Sequence, residues 1–349
     1  MNEKTNNEAP FNWYRFLTEF LKCFAFFMAL TALAVIWIQV YGGKALEKQN
    51  KALQGFSSQV DWSAIPKKKA IETVEKIEGK PVSLTPAPAE GLFEVSSGGT
   101  LPIISRTGLT PFEAYKRPVS FEEDAVDKPK IALGLMNFCT SRENAELATL
   151  ILPGSVSFIA NPYCPDLNEQ ISKARENGHE IWLVLPMETT GFPLDDEGPD
   201  VLLKTSSPEK NYRRLIRIME TASGYIGLST SQNAYFTSSK ADFHPVLEEI
   251  YKRGLGFLDT NPQSPEYLKR LSLRYESPFL ANNVWIDQNA TNLYITANFQ
   301  KIETFAQANG YVTALFHPYP NSIQMVAEWI KSLDKKGFVT IPLSAAAGF

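Results

Sequence analysis

The sequence predicts an α/β fold: parallel strands wrapped by helices, closed into a barrel or left as an open sheet. Two observations carry that expectation. From Lys130 onward, short apolar runs alternate with segments of helical period, giving roughly seven or eight β/α units. The block Ala174 to Glu188 shows one unit in miniature: a helix ends at Gly178, an apolar strand follows over 181–185, and the strand finishes in Pro186-Met187-Glu188. A carboxylate at the carboxyl end of a buried strand is where such folds place their chemistry. The chain has 349 residues, enough for a catalytic domain of about 200–250 residues and an accessory region.

The elements follow in order. Residues 131–135 read as a strand. Thr140-Ser141-Arg142-Glu143 is a capping box that opens a helix through Leu150. Residues 156–160 form the next strand. Asp166-Leu167-Asn168-Glu169 opens a second capped helix, closed by Gly178. After the 181–185 strand come a helix over 211–222, a strand over 225–228, a helix over 245–253 and a strand over 256–258. The pattern continues with a helix over 267–274, a strand over 284–286 and a helix over 293–308. It ends with a strand over 311–316, a helix over 325–335 and a strand over 338–341. There is no internal repeat.

The region before this domain is different in kind. Phe24 to Ile38 (FAFFMALTALAVIWI) carries no charge, and with its flanks the segment 23–41 reaches ~19 residues, enough to cross a bilayer. Trp13, Tyr14, Trp37 and Tyr41 stand near its ends, as interfacial aromatics do. Lysines and arginines flank it on both sides, so charge does not orient it. The expected organisation is a cytoplasmic tail over 1–22, an anchor over 23–41, a linker over 42–91, an extension over 92–129 and the main domain over 130–349. The linker begins with a lysine-rich amphipathic stretch and ends in the proline-rich piece 81–90, an extended spacer. The extension is apolar enough to pack on the domain.

A net charge of −4 gives no large basic surface, so nucleic acid is not an expected partner. The three cysteines, Cys23, Cys139 and Cys164, do not make a disulfide framework. They are expected as free thiols, although Cys139 and Cys164 can pair. No Gly-x-Ser-x-Gly elbow, Walker A or dinucleotide fingerprint is present.

Several blocks, in order, resemble the divergent polysaccharide deacetylases. Gly178-His179-Glu180 followed by Pro186-Met187-Glu188 is similar to that family's GHE and PME signature. Leu152 to Tyr163 is similar to its strand and turn after the first helix. Gly198-Pro199, Phe257-Leu258-Asp259-Thr260, Val284-Trp285-Ile286-Asp287 and Phe316-His317-Pro318-Tyr319-Pro320 are similar to later blocks. The resemblance implies a distorted parallel β/α barrel of the polysaccharide deacetylase type, usually exported or membrane-anchored. It implies metal-assisted removal of acyl groups from an envelope polysaccharide.

The chain departs from that pattern at the metal site. Where the family's first strand often ends in Asp-Asp, this chain has Met136-Asn137. Where the family shows a histidine after the fourth strand, it has Ser231. Methionine cannot accept a proton, and a neutral asparagine is a poor zinc ligand. A divalent metal such as zinc is therefore expected only if the site is rebuilt from other groups.

Four candidates remain at strand ends: Glu188, Asp259 and Asp287 as base or ligands, and His317 as acid. Each has a structural alternative as a loop cap or hydrogen-bonding core residue. Tyr163, Trp285 and Tyr319 are candidates for stacking on sugar rings, with core packing as the alternative. His179 is expected to satisfy helix carbonyls, and His244 to lie at the surface at a helix start. Two functions of the fold stay open, beside a third reading as a membrane-tethered scaffold whose lysine-rich stretch over 44–80 engages a partner. One is a membrane-anchored, periplasmic deacetylase-like protein of envelope carbohydrate metabolism. The other is a catalytically inactive protein of that fold that binds an envelope glycan or a protein partner.

Overall fold

The computed structural model describes residues 82–120 and 125–347, with parts of a helix between residues 17 and 31. Most of the expected anchor 23–41, and the lysine-rich stretch that follows it, lie outside the described residues. Among the described residues no helix is long and apolar enough to cross a membrane. The chain divides into units 1–73 and 74–349, and the fold below belongs to the second.

A short antiparallel pair, β1 (Phe93–Val95) and β2 (Thr100–Pro102), precedes a one-turn helix, α1 (Pro111–Tyr115). The β/α alternation then begins: β3 (Lys130–Phe138), α2 (Arg142–Ile151), β4 (Ser157–Ala160), α3 (Leu167–Glu176), β5 (Ile181–Leu185), α4 (Pro208–Met219), β6 (Tyr225–Thr230), α5 (Lys240–Lys252), β7 (Gly256–Asp259) and α6 (Glu266–Tyr275). It finishes with β8 (Phe279–Ala281), β9 (Val284–Trp285), α7 (Asn292–Asn309), β10 (Tyr311–Phe316), α8 (Pro320–Leu333), β11 (Val339–Ile341) and α9 (Leu343–Ala346).

The strands form one curled sheet in the order β8-β7-β6-β5-β4-β3-β10-β9, with β11 also on β3. Every pairing in it is parallel. The two outermost strands, β8 and β9, are separated in sequence only by Asn282 and Asn283. Asn282 N–H donates to Asp259 on one side, and Asn283 N–H to Thr313 on the other. One short segment therefore joins both edges of the sheet, which gives it the curl expected of a deacetylase-type barrel.

Side chains alternate across the strands, as the pleat requires. Ile131, Leu133, Leu135, Phe158, Leu183 and Phe257 pack outward with the helices. Ala132, Met136, Ile159, Trp182, Leu258 and Leu315 pack together on the concave side. There the large Trp182 ring leaves no room for a neighbour: a Cβ at Gly227 would stand 2.4 Å from it.

The amino ends of the strands are plugged. Phe112 and Tyr115 of α1, and Leu343 and Ala346 of α9, join the concave cluster. Glu180 lies fully buried among them. It accepts from Ser157 Oγ (2.7 Å), Arg117 N–H (3.1 Å), Ser344 N–H (2.9 Å) and Ser344 Oγ. Residues 82–90, read from the sequence as a spacer, are extended and anchored here. Arg175 donates to the carbonyls of Thr85, Tyr115 and Gly224, and Ala89 N–H donates to the Tyr115 hydroxyl.

Four local expectations change. The first helix is capped by Ser141, whose hydroxyl accepts from Asn144 N–H, rather than by Thr140. Asp166 makes no cap; it sits at φ 54° and pairs with Arg142 at 2.7 Å. His179 is fully buried, bonds the Val156 carbonyl (2.8 Å) and stacks on Phe158. Helix α5 starts five residues before Pro245, so His244 is half-buried within the helix, its ring 6.4 Å from that of Tyr275.

Cys139 and Cys164 form a disulfide, with Cα atoms 5.7 Å apart. The expectation of free thiols is corrected for these two. A bulge in β3 opposite β4 brings Cys139 to the end of β4, with Asn137 and Cys139 both at positive φ. Cys23 is free and exposed.

Candidate functional site

The carboxyl ends of the strands bring three side chains into one chain of contacts. Asp287 follows β9, His317 follows β10 and Gln232 follows β6. His317 Nδ1 lies 2.8 Å from Asp287 Oδ1, and the His317 backbone N–H also donates to that carboxylate at 3.1 and 3.0 Å. The other ring nitrogen, Nε2, lies 3.0 Å from Gln232 Oε1.

Two aromatic rings frame the imidazole. Trp285 stacks on it with centroids 4.8 Å apart, and Tyr319 with centroids 5.4 Å apart. Trp285 is buried, and its Nε1–H donates to the Thr260 carbonyl (3.1 Å), so it is a floor for His317 rather than a face for ligand. This is the core-packing alternative for Trp285. Tyr319 is 47% exposed and can offer its ring to a ligand.

The other sequence candidates are not gathered with His317. Asp259 is completely buried. Its carboxylate accepts from Ser264 Oγ (2.6 Å), Asn261 N–H (3.1 Å) and Asn261 Nδ2 (3.2 Å), which fastens the turn before α6. Burial raises its pKa, and these donors act against that rise. Its place is in the wall, the loop-capping alternative for this residue.

Glu188 lies three residues beyond β5, half-buried, and its Oε2 accepts from the Lys204 backbone N–H at 2.7 Å. That is the loop-capping alternative. Tyr163 packs its ring over Gly198 and accepts from Asp200 N–H at 3.0 Å. It lines a separate shallow groove with Thr140, Asn161, Asp196 and Glu197.

The profile of the divergent polysaccharide deacetylases matches residues 139–347. This chain belongs to the divergent polysaccharide deacetylase family. The uncharacterized protein YibQ of Escherichia coli K12 is 23% identical over 196 residues, covering 55% of this chain and 60% of YibQ. The chain thus spans less than two thirds of that relative. An uncharacterized protein of Haemophilus influenzae is 17% identical over 191 residues, covering 54% of this chain and 67% of the relative. Among solved structures, an uncharacterized protein of Agrobacterium tumefaciens C58 superposes with a TM-score of 0.67 at 27% identity, covering 71% of this chain and 99% of the other.

The family's metal can be tested against the groups this family member presents. Met136 is fully buried in the concave cluster. Asn137 Oδ1 faces Asn161 Nδ2 at 3.4 Å. Ser231 is buried, with its hydroxyl 3.3 Å from both the N–H and the carbonyl of Met187. Among the described residues no three His, Cys, Asp or Glu side chains converge. Both ring nitrogens of His317 are already engaged. This donor set does not fit a divalent cation of the family type.

Gln232 escaped the sequence reading. Its neighbour Ser231 drew attention as the position of a lost histidine, and glutamine carries no catalytic signature of its own. The only signal was its place, two residues beyond the end of a parallel strand.

Proposed function

We propose that this protein binds an envelope glycan in the cleft of a deacetylase fold and does not hydrolyse it through a metal. One observation carries the reading: the side chains of Met136, Asn137 and Ser231, which the resemblance sets against the family's acidic pair and histidine, are packed or bonded within the protein. What stays accessible at the strand ends suits sugar: a half-exposed tyrosine ring for stacking and a glutamine amide for hydroxyl or acyl groups.

The N-terminal apolar segment supports an anchor. The Cys139–Cys164 disulfide supports an oxidising compartment such as the periplasm. The test is co-sedimentation of the full chain with purified envelope glycan, alongside acetate release from acetylated glycans with divalent metal supplied. Retention on glycan without acetate is the expected result. A chain that sediments with no glycan would sink the proposal.

One observation favours a second reading, an acyl hydrolase that works without a metal. His317 and Asp287 form the histidine–carboxylate pair that general acid–base catalysis uses. Acetate release that persists in chelator and disappears in His317→Ala would establish it.

A further inference from the structure

We propose that the amino-end face of the sheet lies against a phospholipid surface, an inference that depends on the anchor reading. Three pieces of chain build that face beside the plug. The hairpin β1–β2 sits before the start of β6, with Thr100 Oγ1 2.7 Å from Ser223 Oγ and Ser96 Oγ donating to Glu220. Arg253 fastens the same hairpin, donating to the Pro102 carbonyl and to Glu94, each at 3.0 Å. The loop 103–110 sits before the start of β7: a Cβ at Gly254 would stand 2.9 Å from both Ile104 and Thr110. The end of α6, just before β8, shares a hollow with Phe112 and Lys116 of the plug.

Each piece holds aliphatic side chains out in solvent. Val95 of the hairpin is 84% exposed and Leu273 of α6 is 69% exposed, and Ile104 and Leu109 of the loop are exposed as well. Cations stand among them. Arg106 is exposed at the loop tip, Lys269 and Arg270 lie one turn before Leu273, and Arg274 lies beside it. Glu94 and Glu113, the acids of β1 and α1, are neutralised by Arg253 (3.0 Å) and Lys116 (2.6 Å). Aliphatic tips that enter the acyl boundary, with arginine and lysine at the level of the phosphates, are how a surface beds into a phospholipid interface.

The loop tip is built for that boundary. Backbone groups without partners are what keep irregular chain out of lipid. Here the Ser105 N–H donates to the Leu109 carbonyl (2.9 Å), and the Gly108 N–H donates to the Ser105 carbonyl (3.0 Å). The Leu109 N–H donates to Ser105 Oγ (2.9 Å). The chain leading from the apolar segment 24–38 also enters the fold at this end, where Arg175 holds the Thr85 carbonyl. For an anchored chain this is the end of the fold nearest the bilayer along the sequence. At the opposite end the exposed Leu194 is followed by Asp195, Asp196 and Glu197, which phosphates repel.

The experiment places one fluorophore on the full chain, at Thr107→Cys or at Leu194→Cys, in a Cys23→Ser background. With Cys139 and Cys164 paired, the new thiol alone takes the label. The chain is reconstituted into phosphatidylcholine–phosphatidylglycerol vesicles whose headgroups carry a nitroxide quencher, and the vesicles are floated. We expect the probe at 107 to be quenched and the probe at 194 to stay bright. Arg106→Ser should lower the ratio of apposed to free molecules by about 5-fold, the value of one basic residue near anionic headgroups. Ile104→Ser with Leu109→Ser should bring the probe at 107 to the level of the probe at 194. A chain that floats with 107 no more quenched than 194 overturns the apposition, leaves the anchor standing and marks this face for a protein partner. A chain that does not float with the vesicles overturns the anchor and this inference with it.

Discussion

Asp287 grips His317 at three points: once through the imidazole Nδ1 and twice through the backbone N–H. The carboxylate is thus both the partner of the ring and the clamp that stops β10 from drifting away from the segment after β9. Hydrogen bonds to a charged group are worth about 1.5–3 kcal/mol each. Asp287→Ala should lower stability by about 2–4 kcal/mol in urea unfolding and weaken glycan binding together with it. Asp287→Asn, which keeps an acceptor for the backbone N–H, should lose less. An alanine variant as stable as the parent would show that the clamp does not form.

The buried Glu180 makes a second prediction. Glu180→Ala would strip acceptors from Ser157, Arg117 N–H and Ser344 at once. Each buried donor left bare costs about 1–3 kcal/mol, so the loss should reach about 3 kcal/mol or more. Glycan affinity per folded molecule should not change, because this residue lies at the opposite end of the strands from His317. Loss of binding in a folded Glu180→Ala protein would contradict that division.

Asp259 predicts a pH dependence of known sign. Burial raises its folded-state pKa above the ordinary 3.8. Ionisation is therefore harder in the folded protein than in the unfolded chain. Its unfavourable contribution is absent below about pH 3.8, grows as the pH rises through the window between the ordinary and the raised value, and is complete above it. Asp259→Asn, which cannot ionise, should gain stability relative to the parent across that same window. A stability difference that is flat with pH, or that moves the other way, would show that the charged form is as well accommodated as it is in water.

The disulfide closes a loop between residues 25 apart in sequence. Chain-entropy reasoning puts its contribution at about 3 kcal/mol. The denatured, unreduced protein should show one reactive thiol, Cys23, and three after reduction. Reduction should lower the melting temperature and loosen the Asn137–Asn161 contact beside the bridge.

Much of this architecture could be read from the chain. The β/α alternation from Lys130 onward appears in order, and the strand over 311–316 appears at its observed bounds. Such strands are buried on both faces, so they read as continuous apolar runs bounded by turn residues. Pro245 misled because proline favours the first turn of a helix, whereas Ser239 supplies the cap and Pro245 sits inside. The three-residue β8 is too short for periodicity to register, yet together with β9, which the sequence places over 284–286, it joins the sheet's edges.

At the site, His317 and Asp287 were visible as polar residues ending apolar strands. Their meeting was not, because the pairing of β10 with β9 depends on tertiary closure. Asp259 carried the same signal as Asp287 but faces away. Within the GHE and PME blocks, Glu180 belongs to the plug and Glu188 to the opposite rim, a division that sequence spacing alone does not reveal.

Ser344 lies 164 residues after Glu180. A ribosome therefore makes the carboxylate long before it makes the groups that cover it. Until residues near 344 have emerged, Glu180 lacks two of its donors and the amino ends of the strands lack the Leu343 and Ala346 side chains. The growing chain has no complete floor to settle on, and its final shape must wait for the end of synthesis.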